Sequence, residues 1–188
     1  DCLRAMGAEL AFFSPLTDAE LPSADAVYLP GGYPELHLDA LAGNLAMHQA
    51  LRRHAAAGKP IYAECGGMLY LLESLSDAAG QTAKMVGLLP GQARLGKKLA
   101  ALGYQALTLE QGTLRGHTFH YSSLTTPLEP AAYAQPLRTG SEGEAFYRQG
   151  AVRAGYVHLY FPSAPRAAAA LFLPANSGAP PLPADAIP

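Results

Sequence analysis

The stretch "PIYAECGGMLYLLESL", residues 60–75, ends an apolar run on a cysteine, places two glycines behind it and continues in helix formers. A thiol at the point where a buried strand turns into a helix gains in two ways. The helix end brings partial positive charge and free N–H groups, which favour thiolate over thiol. The bend also forces the side chain outward, and Gly66 and Gly67 have no Cβ atoms to collide there. This is the logic of the nucleophile elbow of hydrolases, with Ala63 standing as a small residue where that motif has its first glycine. The competing reading makes Cys65 a small buried apolar residue, a common fate of free cysteine. The stretch alone leaves both open.

A thiolate attacking a carbonyl carbon needs donors for the developing oxyanion, and backbone N–H groups on a glycine-rich turn suit that task. "PGGYPE", residues 30–35, supplies such a turn after another apolar run. If the two runs are neighbours in a parallel sheet, their C-terminal ends share one edge, where ligands bind in this fold class. The N–H groups of Gly32 and Gly66 are then candidates for one hole, with Gly31 in the same turn. The alternative is that Gly31 and Gly32 only make a tight turn. A base is also required, and histidine is the usual one. His37, His48 and His54 lie in or beside the first long helical stretch, where a solvated polar position is the default. His117 and His120 in "RGHTFHYS" and His158 in "AGYVHLYF" lie in strand-like runs, and spacing does not choose among these three.

The elements that must position these groups read as follows. "AELAFFSPL" and "ADAVYLPGG" are short apolar runs stopped by Ser, Pro and Gly, and both predict buried strands. Leu38, Leu41, Leu45, Leu51 and Ala55 fall on one face of a helix that ends at Gly58 and Pro60. "PIYAE" predicts a third strand and Met68–Leu75 a second helix. Alternating strands and helices argue for a parallel sheet covered on both faces. Beyond about residue 85, short apolar and aromatic runs separated by Gly and Pro predict further strands, some antiparallel. The expectation is an α/β domain over residues 1–175, with a mostly parallel central sheet and extra antiparallel strands in its second half. The Pro- and Ala-rich segment 176–188 reads as an unstructured tail.

Bulk properties narrow the function. The 188 residues suit one sizeable core. Hydrophobic residues make up 49% and charged residues 15%, and the net charge is −2 with 13 scattered Lys and Arg. That balance argues against disorder and against nucleic-acid binding. No apolar run approaches the roughly 18 to 20 residues that cross a bilayer, so no membrane partner and a cytoplasmic location are expected. Two cysteines offer neither a disulfide framework nor metal-ligand spacing. No metal site is expected. Asp1 in place of a methionine, and an opening that reads as the middle of an alternating fold, suggest a piece of a longer protein.

Taken in order, "YLPGGYPELHLDALAGN", "GKPIYAECGGMLYLLESL", "MVGLLPG", "RGHTFHYS" and "GYVHLYF" resemble the class I glutamine amidotransferase domains of the cobyrinate and hydrogenobyrinate a,c-diamide synthase family, over roughly residues 8–173. Several motifs agree in order and spacing. The resemblance implies a class I glutamine amidotransferase-like, flavodoxin-like fold. It implies that Cys65 is the nucleophile for glutamine hydrolysis, His158 its base, and Gly31, Gly32 and Gly66 the oxyanion and glutamine-binding turn. It also implies an N-terminal synthetase domain that takes ATP and Mg²⁺ and a corrinoid substrate. This chain contains no G-x-x-x-x-G-K-[ST] and so no phosphate-binding loop of that kind, and no cofactor is expected in it. A homodimer is one possible assembly.

The chain departs from the wider class where a glutamate two residues after the histidine orients the ring: Tyr160 stands there. Glu64 precedes the nucleophile, but strand alternation sends adjacent side chains to opposite faces, so it is not expected to substitute. The third member of the triad is left open. Relatives that read "GHEFHYS" have a glutamate where this chain has Thr118. His120 and Tyr121 are expected only to line the face toward the synthetase domain. The alternatives are the glutaminase domain of cobyric acid synthase or another tetrapyrrole amidase, a noncatalytic scaffold of the same fold, and a cysteine peptidase of the same superfamily.

Overall fold

The computed structural model describes residues 1–138 and 143–174, so the expected tail at 176–188 lies outside the described residues. The chain opens with α1 (Cys2–Ala5) and reaches its first strand at β1 (Val27–Leu29). A 3-10 turn at Pro34–His37 then leads into α2 (Leu38–Gly43) and α3 (Leu45–Ala56). Next come β2 (Ile61–Glu64), α4 (Gly66–Leu71), β3 (Ser74–Ser76), β4 (Thr82–Lys84) and β5 (Gln92–Leu95). The second half runs β6 (Ala101–Leu109), β7 (Gly112–His120), β8 (Ser122–Thr125), β9 (Ala132–Tyr133), β10 (Gln135–Pro136), β11 (Ala145–Gln149), β12 (Val152–Gly155), β13 (His158–Tyr160) and α5 (Pro165–Ala170).

Among the described residues the strands form three sheets. The central one has the order β1-β2-β12-β11-β9, parallel from β1 through β12 and antiparallel beyond. Its parallel part is the expected α/β core. The switch comes at β11 and β12 because only Gly150 and Ala151 join them, too short a link for a parallel crossover; Gly150, at φ +58°, makes the tight turn. The second sheet, β10-β6-β7-β13, is antiparallel and grows from a hairpin of two nine-residue strands. The third, β4-β3-β5-β8, follows α4.

Alternation along β2 divides the core. Ile61 and Ala63 join Met47, Leu51, Met68 and Leu71 on the helical face. Tyr62 joins Leu107, Leu114, Ala167 and Leu171 beneath the second sheet and α5.

Three sequence expectations are corrected. Residues 8–13 form no strand: Phe12 is 80% exposed and only Phe13 packs on the core, so the run has apolar side chains but no ladder to join. The long helix expected over residues 38–55 is broken at Asn44. Its side chain caps α3 by accepting from Met47 N (3.2 Å), and its amide donates to the carbonyls of Pro15 and Asp18 (2.8 Å each), fastening the preceding loop. Leu45 consequently faces solvent, while Met47, Ala50 and Leu51 are buried. The second helix starts earlier than expected, at Gly66, and ends at Leu71, because Leu72 is already extended (ψ 175°) and feeds β3.

α4 lies close against β1. A Cβ at Gly67 would collide with the Leu29 carbonyl oxygen and sit 2.7 Å from its carbon, which is backbone and cannot swing aside. Gly67→Ala is therefore expected to lower unfolding stability by about 1–3 kcal/mol, read as a shift of the denaturant midpoint. An unchanged midpoint would mean the helix is free to lift away.

Candidate active site

The site begins where β2 ends. β2 is buried along its length between β1 and β12, with Ala63 opposite both Leu29 and Ala154, and Glu64 opposite Gly155. The ladder continues one residue further, Cys65 N donating to Gly155 O at 2.8 Å. There the chain turns. Cys65 takes φ +45°, ψ −111°, and among the described residues it is the one non-glycine at positive φ. These angles lie near the first central position of a type II′ turn, a place glycine normally fills. Holding a side chain there costs about 1–3 kcal/mol. The Cys65 carbonyl then accepts from Leu69 N at 3.0 Å as α4 starts, and the residue keeps 8% of its surface exposed.

The expected glycines gather around this turn. A Cβ on Gly66 would strike the Gly32 carbonyl oxygen and lie 2.7 Å from Gly32 N, so the two backbones are in contact. A Cβ on Gly31 would strike Cε1 of His158 and lie 2.9 Å from Nδ1. Gly31, Gly32, Gly66, Cys65 and His158, spread over 128 residues of sequence, thus meet at one sheet edge.

His158 arrives by a change of sheet. β12 leaves the central sheet after Gly155, Tyr156 and Val157 cross over, and β13 pairs with β7, placing His158 opposite His117. The two rings stack at 5.0 Å, 24° apart. His158 is pushed up from its ordinary 6.5 to about 9, first by its hydrogen bond with Cys65 and then by Glu64; partial burial opposes both. The imidazolium form is therefore favoured beside the sulfur.

Glu64 corrects the sequence reading. Its carboxylate Oε2 lies 3.8 Å from His158 Nδ1, accepts from Tyr28 Oη at 2.8 Å, and is 3% exposed overall. Oε1 accepts from Tyr62 Oη at 2.7 Å and from Leu159 N at 3.0 Å. The alternation argument failed because Cys65 is no longer part of the strand: its positive φ redirects the thiol, while Glu64 keeps the orientation that alternation gives Tyr62. Burial, reinforced by the carboxylate, pushes both tyrosine hydroxyls far up, so they remain neutral donors.

The remaining histidines separate. His48 and His54 are buried rather than solvated, and burial lowers both, keeping them neutral. His120 is turned inward: Nε2 meets Glu144 Oε1 and Nδ1 meets Ser122 O, each at 2.9 Å, and the ring stacks on Tyr156 at 3.7 Å. Thr118 donates to the same Glu144. Of the expected pair only Tyr121 is exposed, at 41%. Tyr160, two residues after His158, is 63% exposed and offers no acid.

A cavity of about 330 Å³ lies away from this edge, against Leu109, Phe146, Arg148, Arg153 and Leu171, and contains none of the residues above. Among the described residues no group of three or more His, Cys, Asp or Glu is placed to hold a metal ion, and no helix is long and apolar enough to cross a membrane.

A group whose folded value is raised contributes stability that is complete below its unfolded value of 6.5 and lost as pH climbs through about 9. His158→Gln should accordingly cost more stability near about pH 6 than near about pH 10. Denaturant midpoints of both proteins across that range give the comparison, and a gap that stays constant would contradict the assignment.

The sequence profile of the CobB/CobQ-like glutamine amidotransferase domain matches residues 1–165. The chain is 57% identical over 176 residues to the hydrogenobyrinate a,c-diamide synthase of Pseudomonas aeruginosa, covering 94% of this chain and 40% of that protein. It is 56% identical to the enzyme of the same description from Stutzerimonas stutzeri, over 93% of this chain and 40% of that one. To the cobyrinate a,c-diamide synthase of Herminiimonas arsenicoxydans it is 51% identical, again over 93% and 40%. The chain thus spans about 40% of the length of these relatives. A crystal structure of a glutamine amidotransferase superposes with a TM-score of 0.58 at 18% identity, over 84% of this chain and 81% of that one.

Proposed function

The chain belongs to the CobB/CobQ-like glutamine amidotransferase domain family, and from that premise we propose that it is the glutaminase half of an ATP-dependent corrinoid a,c-diamide synthase, a cytoplasmic carbon–nitrogen ligase. In this reading Cys65 and His158 are the catalytic residues, and the backbone of Gly32 and Gly66, with Gly31 beside them, holds the oxyanion. The observation that carries it is the strained strand-to-helix turn at Cys65 with the His158 imidazole hydrogen-bonded to the sulfur, a contact that favours the protonated ring. The acceptor rests on the names of the relatives, which act on hydrogenobyrinate and cobyrinate.

The chemistry is acyl transfer through a thioester. The Cys65 thiolate attacks the side-chain amide carbon of glutamine, and the carbonyl electrons move onto an oxygen that meets backbone N–H groups. As the C–N bond breaks, His158 passes its proton to the leaving nitrogen and ammonia departs. The now neutral imidazole takes a proton from water. The resulting hydroxide adds to the thioester, the C–S bond breaks, and glutamate leaves with the thiolate restored. Ammonia then serves the amidation of corrinoid side-chain carboxylates before water protonates it.

Gly31 lies against the His158 ring, Gly66 against Gly32 and Gly67 against Leu29, while Gly32 has open space beside it. In this proposal ATP and Mg²⁺ belong to the synthetase domain that the resemblance implies. No step above runs through either.

The test uses a glutamine-like chloroketone. Incubation should add the mass of the reagent to a peptide containing Cys65, free glutamine should protect, and Cys65→Ser should take up none. Turnover of glutamine by the chain alone is expected to be weak but abolished in the same variant. Labelling at Cys2 instead, or turnover of peptides in preference to glutamine, would overturn the reading.

A further inference from the structure

We propose that Glu64 is the positioning residue for His158: its carboxylate takes Nδ1–H and so turns Nε2 toward Cys65, replacing the acid that Tyr160 does not supply. The inference deepens the reading of Cys65 and His158 as a reacting pair and rests on it.

Three observations support it. First, a buried carboxylate has to be satisfied by its surroundings, and the donors to Glu64 fix it in one orientation. Tyr62 Oη and Leu159 N (2.7 and 3.0 Å) hold Oε1, and Tyr28 Oη (2.8 Å) holds Oε2. None of these donors carries charge. The remaining face of Oε2 is turned to Nδ1 at 3.8 Å. This is an ion-pair separation longer than a hydrogen bond, as catalytic contacts often are before substrate closes the site.

Second, the carboxylate grips the histidine segment twice. The Leu159 N–H belongs to the residue after His158, so one side chain from β2 sets both the backbone of β13 and the ring on it. Third, the two tyrosines come from paired positions on β1 and β2 and stack at 5.6 Å with only 5° between their planes. Phe161 and Phe172 close around them at 5.6–6.2 Å. The clamp is therefore rigid, and its hydroxyls cannot rotate away without breaking aromatic packing.

The titratable groups that face the ring are Cys65 from the turn, Glu64 from β2 and His117 from β7. His117 presents a second imidazole, stacked on the first at 5.0 Å. With Nδ1–H on Glu64, the neutral ring keeps its lone pair on Nε2, the form needed both to accept a proton from water and to return it.

The experiment is nitrogen NMR on the 188-residue chain with ¹⁵N-labelled histidine, His158 being assigned by the loss of its signals in His158→Gln. The expected neutral form above its titration is the Nδ1–H tautomer. Glu64→Gln should lower the His158 titration by about one unit or more, and Glu64→Asp by less. In glutamine hydrolysis the same variant should lose at least about tenfold in kcat with KM little changed, and Glu64→Asp should recover part of it. A wild-type ring in the Nε2–H tautomer, or an unshifted titration in a folded Glu64→Gln protein, overturns the proposal. Should Glu64→Gln fail to fold, the wild-type tautomer decides alone. If the chain proves unable to turn over glutamine, the proposed function fails, while the tautomer and titration still decide the role of Glu64.

Discussion

The backbone at Cys65 occupies a conformation that a residue with a side chain adopts only under constraint, and the surrounding fold supplies that constraint. Upstream, β2 is locked on both edges, and its parallel bonding to β12 reaches as far as the Cys65 amide. Downstream, the first turn of α4 accepts the chain at once through the Cys65 carbonyl. Gly66 and Gly67 let that helix approach the Gly32 and Leu29 backbones more closely than any other residue could. Strain concentrated in one residue is offset by regular bonding on either side of it, a common arrangement at reactive centres.

The second ingredient is electrostatic. Three ionisable groups, Cys65, His158 and Glu64, converge in a setting that also contains two phenols whose ionisation burial disfavours. Burial works on each in a different direction: it keeps the tyrosines neutral and by itself would discharge the histidine. The hydrogen bond to the sulfur and the charge of the carboxylate outweigh it for His158, which is why that ring differs from His48 and His54. The same residue type is thus neutral in two buried places and favoured as a cation in a third, according to what faces it.

Local signals made much of this legible in the sequence. The apolar runs ending in Gly-Gly announced β1 and β2, and the cysteine followed by two glycines announced the turn, because such features depend on neighbours in the chain. What escaped depended on partners distant in sequence. Glu64 was dismissed by an alternation rule that holds within a strand but not across the backbone reversal at the next residue. Asn44 looked like one more helical position because the carbonyls of Pro15 and Asp18 that it binds could not be foreseen. His120 carried no mark of its pairing with Glu144, 24 residues away. The antiparallel end of the central sheet was foreshadowed by the short strands, and the link at Gly150 and Ala151 was the available sign of where the direction reverses.

The sulfur and the imidazole are mounted on different sheets: Cys65 prolongs the central one, and His158 begins the edge strand of the antiparallel one. Only Tyr156 and Val157 lie between the two registers, both buried. The separation of the two groups is consequently a gauge of how the sheets are seated against each other. The Leu159 N–H bonded to Glu64 ties the edge strand of the hairpin sheet to β2, so the seating of one sheet on the other and the distance from ring to sulfur are fixed together.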